Sequence, residues 1–279
     1  MFSRFTMSRG FHLRPRKCRL STCPHDCSVG YCMLKTKKDK IMIPKIIHYC
    51  WFGRGEMPET VAYCVESWHK YMPDYEYVLW NEDSFDLEGN QYAKEAYQAK
   101  KYAFVSDYVR LFALYHYGGI YFDTDVEVFK PFDDLLDNKA FGGFEGSKII
   151  PLGTCVLASE KGGDWVKEQL EYYRDRRFVR EDGTYDLTTN VRFITEKMRE
   201  QGFVQDGKEQ YYKDLHVYPV EYFCPRRTTG EYFRTENTYC DHLGIGSWAE
   251  NGGWKDRFGK FVGQKNMIRL IKLKRKLIG

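Results

Sequence analysis

The sequence predicts an α/β fold, a sheet covered on its faces by helices, and three observations carry that prediction. Runs of strand character alternate with runs of helical period along most of the chain. The length of 279 residues fits one such domain with elaborations, or two small ones, and an apolar content of 43% can fill a real core. An apolar strand, Ile120-Tyr121-Phe122, follows a Gly118-Gly119 stop and runs straight into Asp123.

The elements can be followed in order. Ile43-Pro44-Lys45-Ile46-Ile47-His48-Tyr49-Cys50-Trp51-Phe52-Gly53 has the character of an opening strand with a Gly turn, and Pro58 to Tyr71 of a helix with Val61, Cys64, Val65 and Trp68 at helical spacing. A short strand is expected at Tyr75 to Trp80 and a helix at Tyr92 to Lys100. Tyr102 to Tyr117 is the strongest helix, ended by the glycine pair as a helix C-terminus should be. Beyond Pro131, strands are expected at Phe141 to Phe144, Thr154 to Ala158, Leu215 to Pro219 and Tyr239 to Ile245. Helices are expected at Trp165 to Arg177 and Thr188 to Gln201. The end, Met267 to Ile278, has the pattern of a basic amphipathic helix.

Charge divides the chain into three parts. Residues 1 to 40 hold ten Lys/Arg against two Asp, and residues 255 to 279 hold nine against one, although the whole chain is only +4. The body between the tails is therefore strongly acidic, which argues against a nucleic-acid-binding core. An acidic body that handles a phosphorylated substrate needs a cation to bridge the two. The expected organisation is a basic, disordered leader at 1–41, a catalytic domain at 42–254 and a basic amphipathic helix at 255–279. That helix has a solvated basic side as its plain explanation and an anionic membrane surface as its functional one.

No apolar run is long enough to cross a bilayer, and the start lacks the apolar stretch of a signal peptide, so the expected location is the cytoplasm, with peripheral contact at the inner membrane surface. The nine cysteines are odd in number and scattered, which favours reduced thiols. Four of them, Cys18, Cys23, Cys27 and Cys32, surround His25 in the leader. Their spacing lacks the tight C-x2-C pair of zinc modules, so a disordered leader is the simpler reading beside a zinc knot.

Chemistry concentrates at the triplet Asp123-Thr124-Asp125. Its carboxylates stand two apart where an apolar strand ends, the edge at which ligands of open α/β sheets bind. Alone the pattern is weak, because paired aspartates also make turns and helix caps. In this context the pair can hold Mg²⁺ or Mn²⁺ while a diphosphate completes the shell, so that the ion offsets charge on a leaving diphosphate. On the preceding helix, Asp107 and Arg110 are three residues apart. A solvated ion pair there would contribute a few tenths of a kcal/mol. Apolar neighbours instead place the pair inside, where a carboxylate for ribose hydroxyls and a guanidinium for phosphate would explain it.

The run Lys101-Tyr102-Ala103-Phe104-Val105-Ser106-Asp107-Tyr108-Val109-Arg110, continuing to Tyr117-Gly118-Gly119-Ile120-Tyr121-Phe122-Asp123-Thr124-Asp125, resembles the sugar-binding DXD region of family 32 glycosyltransferases. The likeness extends from Ile43 to about Trp248, through the opening Ile43-Pro44-Lys45-Ile46-Ile47-His48 with Trp51 and the late His242-to-Ser247-Trp248 element. The resemblance implies a GT-A type, Rossmann-like nucleotide-sugar-binding domain with a mixed, mostly parallel sheet flanked by helices. It also implies a nucleotide-sugar donor, Mn²⁺ or Mg²⁺, and retention of anomeric configuration. Residue by residue it makes Trp51 the base-stacking aromatic, Asp107 the ribose contact and Arg110 the donor-positioning cation. Asp123 would contact the sugar or the ion's water shell, Asp125 would ligate the metal, and His242 would complete the metal shell. Ser247 and Trp248 would close over the diphosphate. Leu243 departs from the pattern, since many relatives place a second histidine there.

The expected function is thus transfer of a hexose, from a UDP-sugar for preference, to a hydroxyl of a glycan or lipid-linked acceptor, as in surface polysaccharide synthesis. Two rivals remain at this point. A haloacid-dehalogenase-type phosphohydrolase also uses two aspartates two apart after an apolar strand, but it wants Thr or Val where this chain has Glu127. A carbohydrate-binding protein without turnover would also use the aromatic content, and Trp51 and His242 could then be ordinary core residues.

Overall fold

The computed structural model describes residues 43–146, 151–226, 229–245 and 263–278. The leader at 1–41 with its four cysteines, and the residues Ser247 and Trp248, lie outside the described residues. In chain order the elements are β1 (Ile46–Cys50), α1 (Glu59–Tyr71), β2 (Glu76–Trp80), α2 (Gln91–Gln98) and α3 (Tyr102–Tyr117). Next come β3 (Gly119–Phe122), β4 (Val126–Val128), β5 (Ala140–Phe144) and β6 (Leu152–Ser159). The rest are α4 (Asp164–Glu171), α5 (Asn190–Glu200), β7 (Gln210–Tyr212), β8 (Leu215–Tyr218), β9 (Cys240–His242) and α6 (Gln264–Ile278).

Seven strands form one sheet in the order β2-β1-β3-β6-β5-β8-β7, and β4 with β9 forms a separate two-stranded ribbon. The pairs β1–β2, β1–β3 and β5–β8 are parallel, while β3–β6, β5–β6 and β7–β8 are antiparallel. Followed across the sheet, these pairings point five strands one way and reverse only β6 and β7. The sheet is therefore mixed and mostly parallel, as expected. Its central strands β3, β5 and β6 are buried at every residue, which is why they read as continuous apolar runs rather than alternating ones.

Each face of the sheet carries its own apolar layer. On one side α2, α3, α4 and α5 bury Tyr92, Val105, Val109, Leu114, Trp165 and Ile194. On the other, Trp68 of α1 is fully buried, meets Tyr49 and Phe122 with ring centroids 5.4 Å apart, and donates its indole N–H to Val126 O at 2.7 Å. That bond ties α1 to the ribbon.

Local chemistry sets several boundaries. Asn90 caps α2 by accepting from Ala93 N at 3.0 Å. Helix α3 ends at Gly118 (φ 70°), and Gly119 follows at φ 108°, where a Cβ would lie 2.6 Å from Ile46 O. This glycine pair lets β3 turn back and lie against β1.

The structure corrects two expectations. The helix expected over Trp165 to Arg177 stops at Glu171, because the next residues serve distant partners: Arg176 binds Asp186 at 2.8 Å and lies 3.8 Å over Phe193, and Arg177 binds Glu95. The strands Val126–Val128 and Gln210–Tyr212 are absent from the sequence reading, being too short at three residues to show a period.

Candidate active site

Because β1, β3 and β5 point the same way, the residues that follow them emerge at one edge: Trp51 after β1, Asp123 after β3 and Glu145 after β5. The reversed strand β6 begins at that edge, and its backbone helps to fix the site. Asp123 N–H donates to Cys155 O at 2.9 Å. The turn Asp123–Asp125 then leads into β4, whose residue Val126 pairs with His242 of β9. A histidine 117 positions beyond Asp125 is thereby brought beside it: Nε2 of His242 lies 3.2 Å from Asp125 Oδ1. One ligand atom from each of Asp123, Asp125 and His242 falls within 4.8 Å of the others.

The carboxylates are held from behind. Asp125 Oδ2 accepts from Ile245 N–H at 2.8 Å, and its carbonyl accepts from Leu243 N–H at 2.9 Å. Asp123 Oδ1 accepts from the Tyr121 hydroxyl at 2.9 Å and lies 3.3 Å from Arg110 Nη1, which leaves Oδ2 as the oxygen for an ion. Burial would raise the Asp125 carboxyl, but the adjacent His242 and the Ile245 N–H outweigh it and hold it at about 2. Burial likewise works against charge on His242, and Asp125 reverses this, pushing the imidazole well above its usual value. On its other side His242 Nδ1 lies 3.5 Å from Glu145, whose carboxyl is lowered by the same imidazole against the effect of burial.

Two carboxylates with one imidazole form a donor set that suits a divalent ion of intermediate hardness such as Mn²⁺, and the described residues fit that group. Because the neighbouring Asp125 favours the charged imidazole, ligation through His242 would work against that proton.

Asp107 and Arg110 are buried, as their apolar neighbours required, at 8% and 4% exposure. The guanidinium is engaged on every side: with Asp107 Oδ1 at 2.8 Å, Thr154 O at 2.7 Å, Ser106 O at 3.2 Å and the face of Tyr121 at 4.6 Å. Asp107 Oδ2 accepts from Asn190 N–H at 3.3 Å. Burial drives the Asp107 carboxyl up to about 6 in spite of Arg110. What the structure displays is a brace, in which Asn190 fixes Asp107, Asp107 fixes Arg110, and Arg110 fixes Asp123.

Trp51 is half-buried at the same edge, with its indole N–H donating to Gly55 O at 2.7 Å and its backbone N–H to Trp80 O at 2.9 Å. Leu243 is buried next to His242, where its backbone rather than its side chain serves Asp125. The sequence reading missed Glu145, Tyr121 and Asn190. Glu145 carries the same signal as Asp123, a carboxylate directly after an apolar strand, and could have been found by it. Asn190 could not, since its contact joins two helices 83 residues apart.

A family model described as the glycosyltransferase sugar-binding region containing DXD motif matches residues 58–142. Inositol phosphoceramide mannosyltransferase 3 of Schizosaccharomyces pombe is 40% identical over 103 residues, 36% of this chain and 29% of that protein. Mannosyl phosphorylinositol ceramide synthase CSH1 of Saccharomyces cerevisiae is 33% identical over 104 residues, 36% of this chain and 27% of that one. The match thus spans less than a third of the length of either relative. Among solved structures, the chain is similar to a glycosyltransferase involved in the glycosylation of the major capsid of PBCV-1, with 14% identity and a TM-score of 0.44, over 74% of this chain and 96% of that one. Residues 58–142, the stretch that contains Asp107, Arg110, Asp123 and Asp125, are thus similar to glycosyltransferase sugar-binding regions containing the DXD motif.

Proposed function

We propose that this protein is a metal-dependent, retaining glycosyltransferase of GT-A type that moves a hexose from a nucleotide-sugar to a hydroxyl of a glycan or lipid acceptor. The observation that carries this reading is the convergence of Asp123, Asp125 and His242 within 4.8 Å at the carboxyl edge of the sheet. Mn²⁺ is the ion best suited to the set, with Mg²⁺ second. When bound, it would offset charge on the departing diphosphate.

The chain's own residues divide the remaining work. Asp125 and His242 would hold the cation, and Asp123, braced by Arg110 and Tyr121, would face the sugar or the ion's water shell. Trp51 stands at the same edge to stack on the base. The transfer is written as attack by the acceptor hydroxyl on the face from which the diphosphate leaves: the bond from the anomeric carbon to the diphosphate breaks, the glycosidic bond forms, and the departing diphosphate takes the hydroxyl proton, which gives retention without a protein nucleophile. A trapped covalent sugar adduct or an inverted product would overturn that step.

The sugar-binding family supports a nucleotide-sugar donor. Two relatives, one named an inositol phosphoceramide mannosyltransferase and one a mannosyl phosphorylinositol ceramide synthase, make a mannosyl donor and an inositol-phosphate lipid the first pair to test, ahead of the UDP-hexose and polysaccharide acceptor favoured by the sequence alone. A lipid acceptor also gives the basic helix α6 a role, as a peripheral contact with an anionic membrane at its cytoplasmic surface. Lys265, Arg269, Lys272 and Lys276 are exposed on that helix with Leu270 and Leu273.

The phosphohydrolase alternative loses ground because Glu127 pairs with Arg275 at 3.1 Å in the interior. The deciding experiment is a hydrolysis panel of GDP-mannose and UDP-hexoses with and without Mn²⁺, beside a simple phosphate ester. Nucleoside diphosphate release that needs Mn²⁺ is expected. Ester cleavage would favour the phosphohydrolase, and no cleavage of any donor would favour a carbohydrate-binding protein.

A further inference from the structure

Directly beneath the acidic site, a second group of ligand atoms converges on the same histidine. We propose that Cys155, Cys224 and His242 form a site for a thiophilic divalent cation such as Zn²⁺, sharing the imidazole with the oxygen-rich set of Asp123 and Asp125. One ligand atom from each of the three residues lies within 4.8 Å of the others. The two sulfur atoms are 3.4 Å apart. Two Zn–S bonds of about 2.3 Å at a tetrahedral angle put their sulfurs roughly 3.8 Å apart, so a few tenths of an ångström of adjustment would complete the arrangement.

The supports are rigid. Cys155 belongs to β6, buried along its whole length, and its carbonyl holds the backbone of Asp123. Cys224 is fixed by its N–H to Val220 O at 3.0 Å, and His242 lies on β9. Both thiols are nearly inaccessible, at 3% and 4% exposure. A pair of core cysteines packed as small apolar groups is the plain alternative. What sets this pair apart from core packing alone is a third ligand atom, from the His242 imidazole, within 4.8 Å of the sulfurs.

The consequence is competition for one side chain. Sulfur and nitrogen donors favour Zn²⁺ over Mn²⁺, whereas the carboxylate set accepts the harder ion. Zn²⁺ seated on the thiolates would draw His242 away from Asp125 and depress activity supported by Mn²⁺. That last step rests on the glycosyltransferase reading, while the existence of the soft site does not.

The test uses Co²⁺ as a spectroscopic stand-in for Zn²⁺ in the full chain, with Cys18, Cys23, Cys27 and Cys32 each changed to Ser to silence the leader. One equivalent of Co²⁺ should produce a near-ultraviolet thiolate-to-cobalt charge-transfer band, and the further change Cys224→Ser should abolish it. Absence of the band, or a band that survives Cys224→Ser, overturns the site, and the first of these needs no variant of the core. In donor cleavage supported by Mn²⁺, Cys224→Ser should raise the Zn²⁺ concentration for half-inhibition at least tenfold; equal sensitivity in both proteins overturns the competition. A band without donor cleavage under any metal leaves the soft site standing and removes the transferase reading instead.

Discussion

The ribbon formed by β4 and β9 has two sides, and they treat acidic residues in opposite ways. Cross-strand neighbours Glu127 and Asp241 project to one side, Val126 and His242 to the other. On the first side both carboxylates are matched within the protein: Asp241, fully buried, binds Arg226 at 2.8 Å and Arg275, and Glu127 binds Arg275 and the Tyr63 hydroxyl. Two carboxylates face two guanidinium groups. On the second side, the ion pairs of Asp107, Asp123, Asp125 and Glu145 are made with Arg110 and His242. Four carboxylates share two ion-pair partners, a concentration of negative charge that a divalent cation would offset. The same residue type thus serves structure where the chain supplies its own countercharge, and ligand binding where it leaves the countercharge to come from outside.

The sharpest way to break this comparison is to change one acid on each side. Asp125→Asn should lower donor cleavage by about 100-fold or more, the scale on which a single group stabilising developing charge counts. Mn²⁺ should raise the melting temperature of the wild type and leave that of Asp125→Asn unchanged, because only the wild type binds it. On the matched side, Arg275→Met should act on stability instead. Stranding a buried carboxylate costs about 3 kcal/mol or more, read by urea unfolding. The double change Arg275→Met with Glu127→Gln should recover much of that loss, and a double mutant no more stable than Arg275→Met alone would deny the pairing.

Smaller effects refine the unmatched side. Trp51→Ala should raise the donor KM roughly tenfold with kcat nearly unchanged, since stacking on a base is worth about 1–3 kcal/mol. An unchanged KM would return Trp51 to a structural role. The smallest effect is in pH. Asp107 titrates near 6 in the folded protein, above its ordinary 3.8, so its protonation adds stability that is fully present below the lower value and lost as pH rises through about 6. The stability of wild type relative to Asp107→Asn should therefore rise by at most about 1.4 kcal/mol per pH unit as pH falls from 6 toward 4, measured by denaturation at a series of pH values.

The unmatched side was also the legible one. Helix α3 ends where its glycine pair says, and Asp123 stands after a buried strand, because capping and burial are written in neighbouring residues. The approach of His242 to Asp125 was accessible only through family resemblance; nothing local indicates that β9 will pair with β4. Arg275 is the clearest failure. In sequence it is one basic residue in a basic tail, whereas in the structure it is the countercharge for two buried acids, 148 and 34 positions away. The truncated α4 has the same origin, because Arg176 and Arg177 leave the helix for distant partners that propensity does not register.

The claim on which the rest depends is that Asp123, Asp125 and His242 bind a divalent cation. Titration of Mn²⁺ into the full chain, with free Mn²⁺ followed by electron paramagnetic resonance, tests it directly. One bound equivalent that disappears in Asp125→Asn is the expected result. Binding that is absent from the wild type, or that survives Asp125→Asn unchanged, would contradict it.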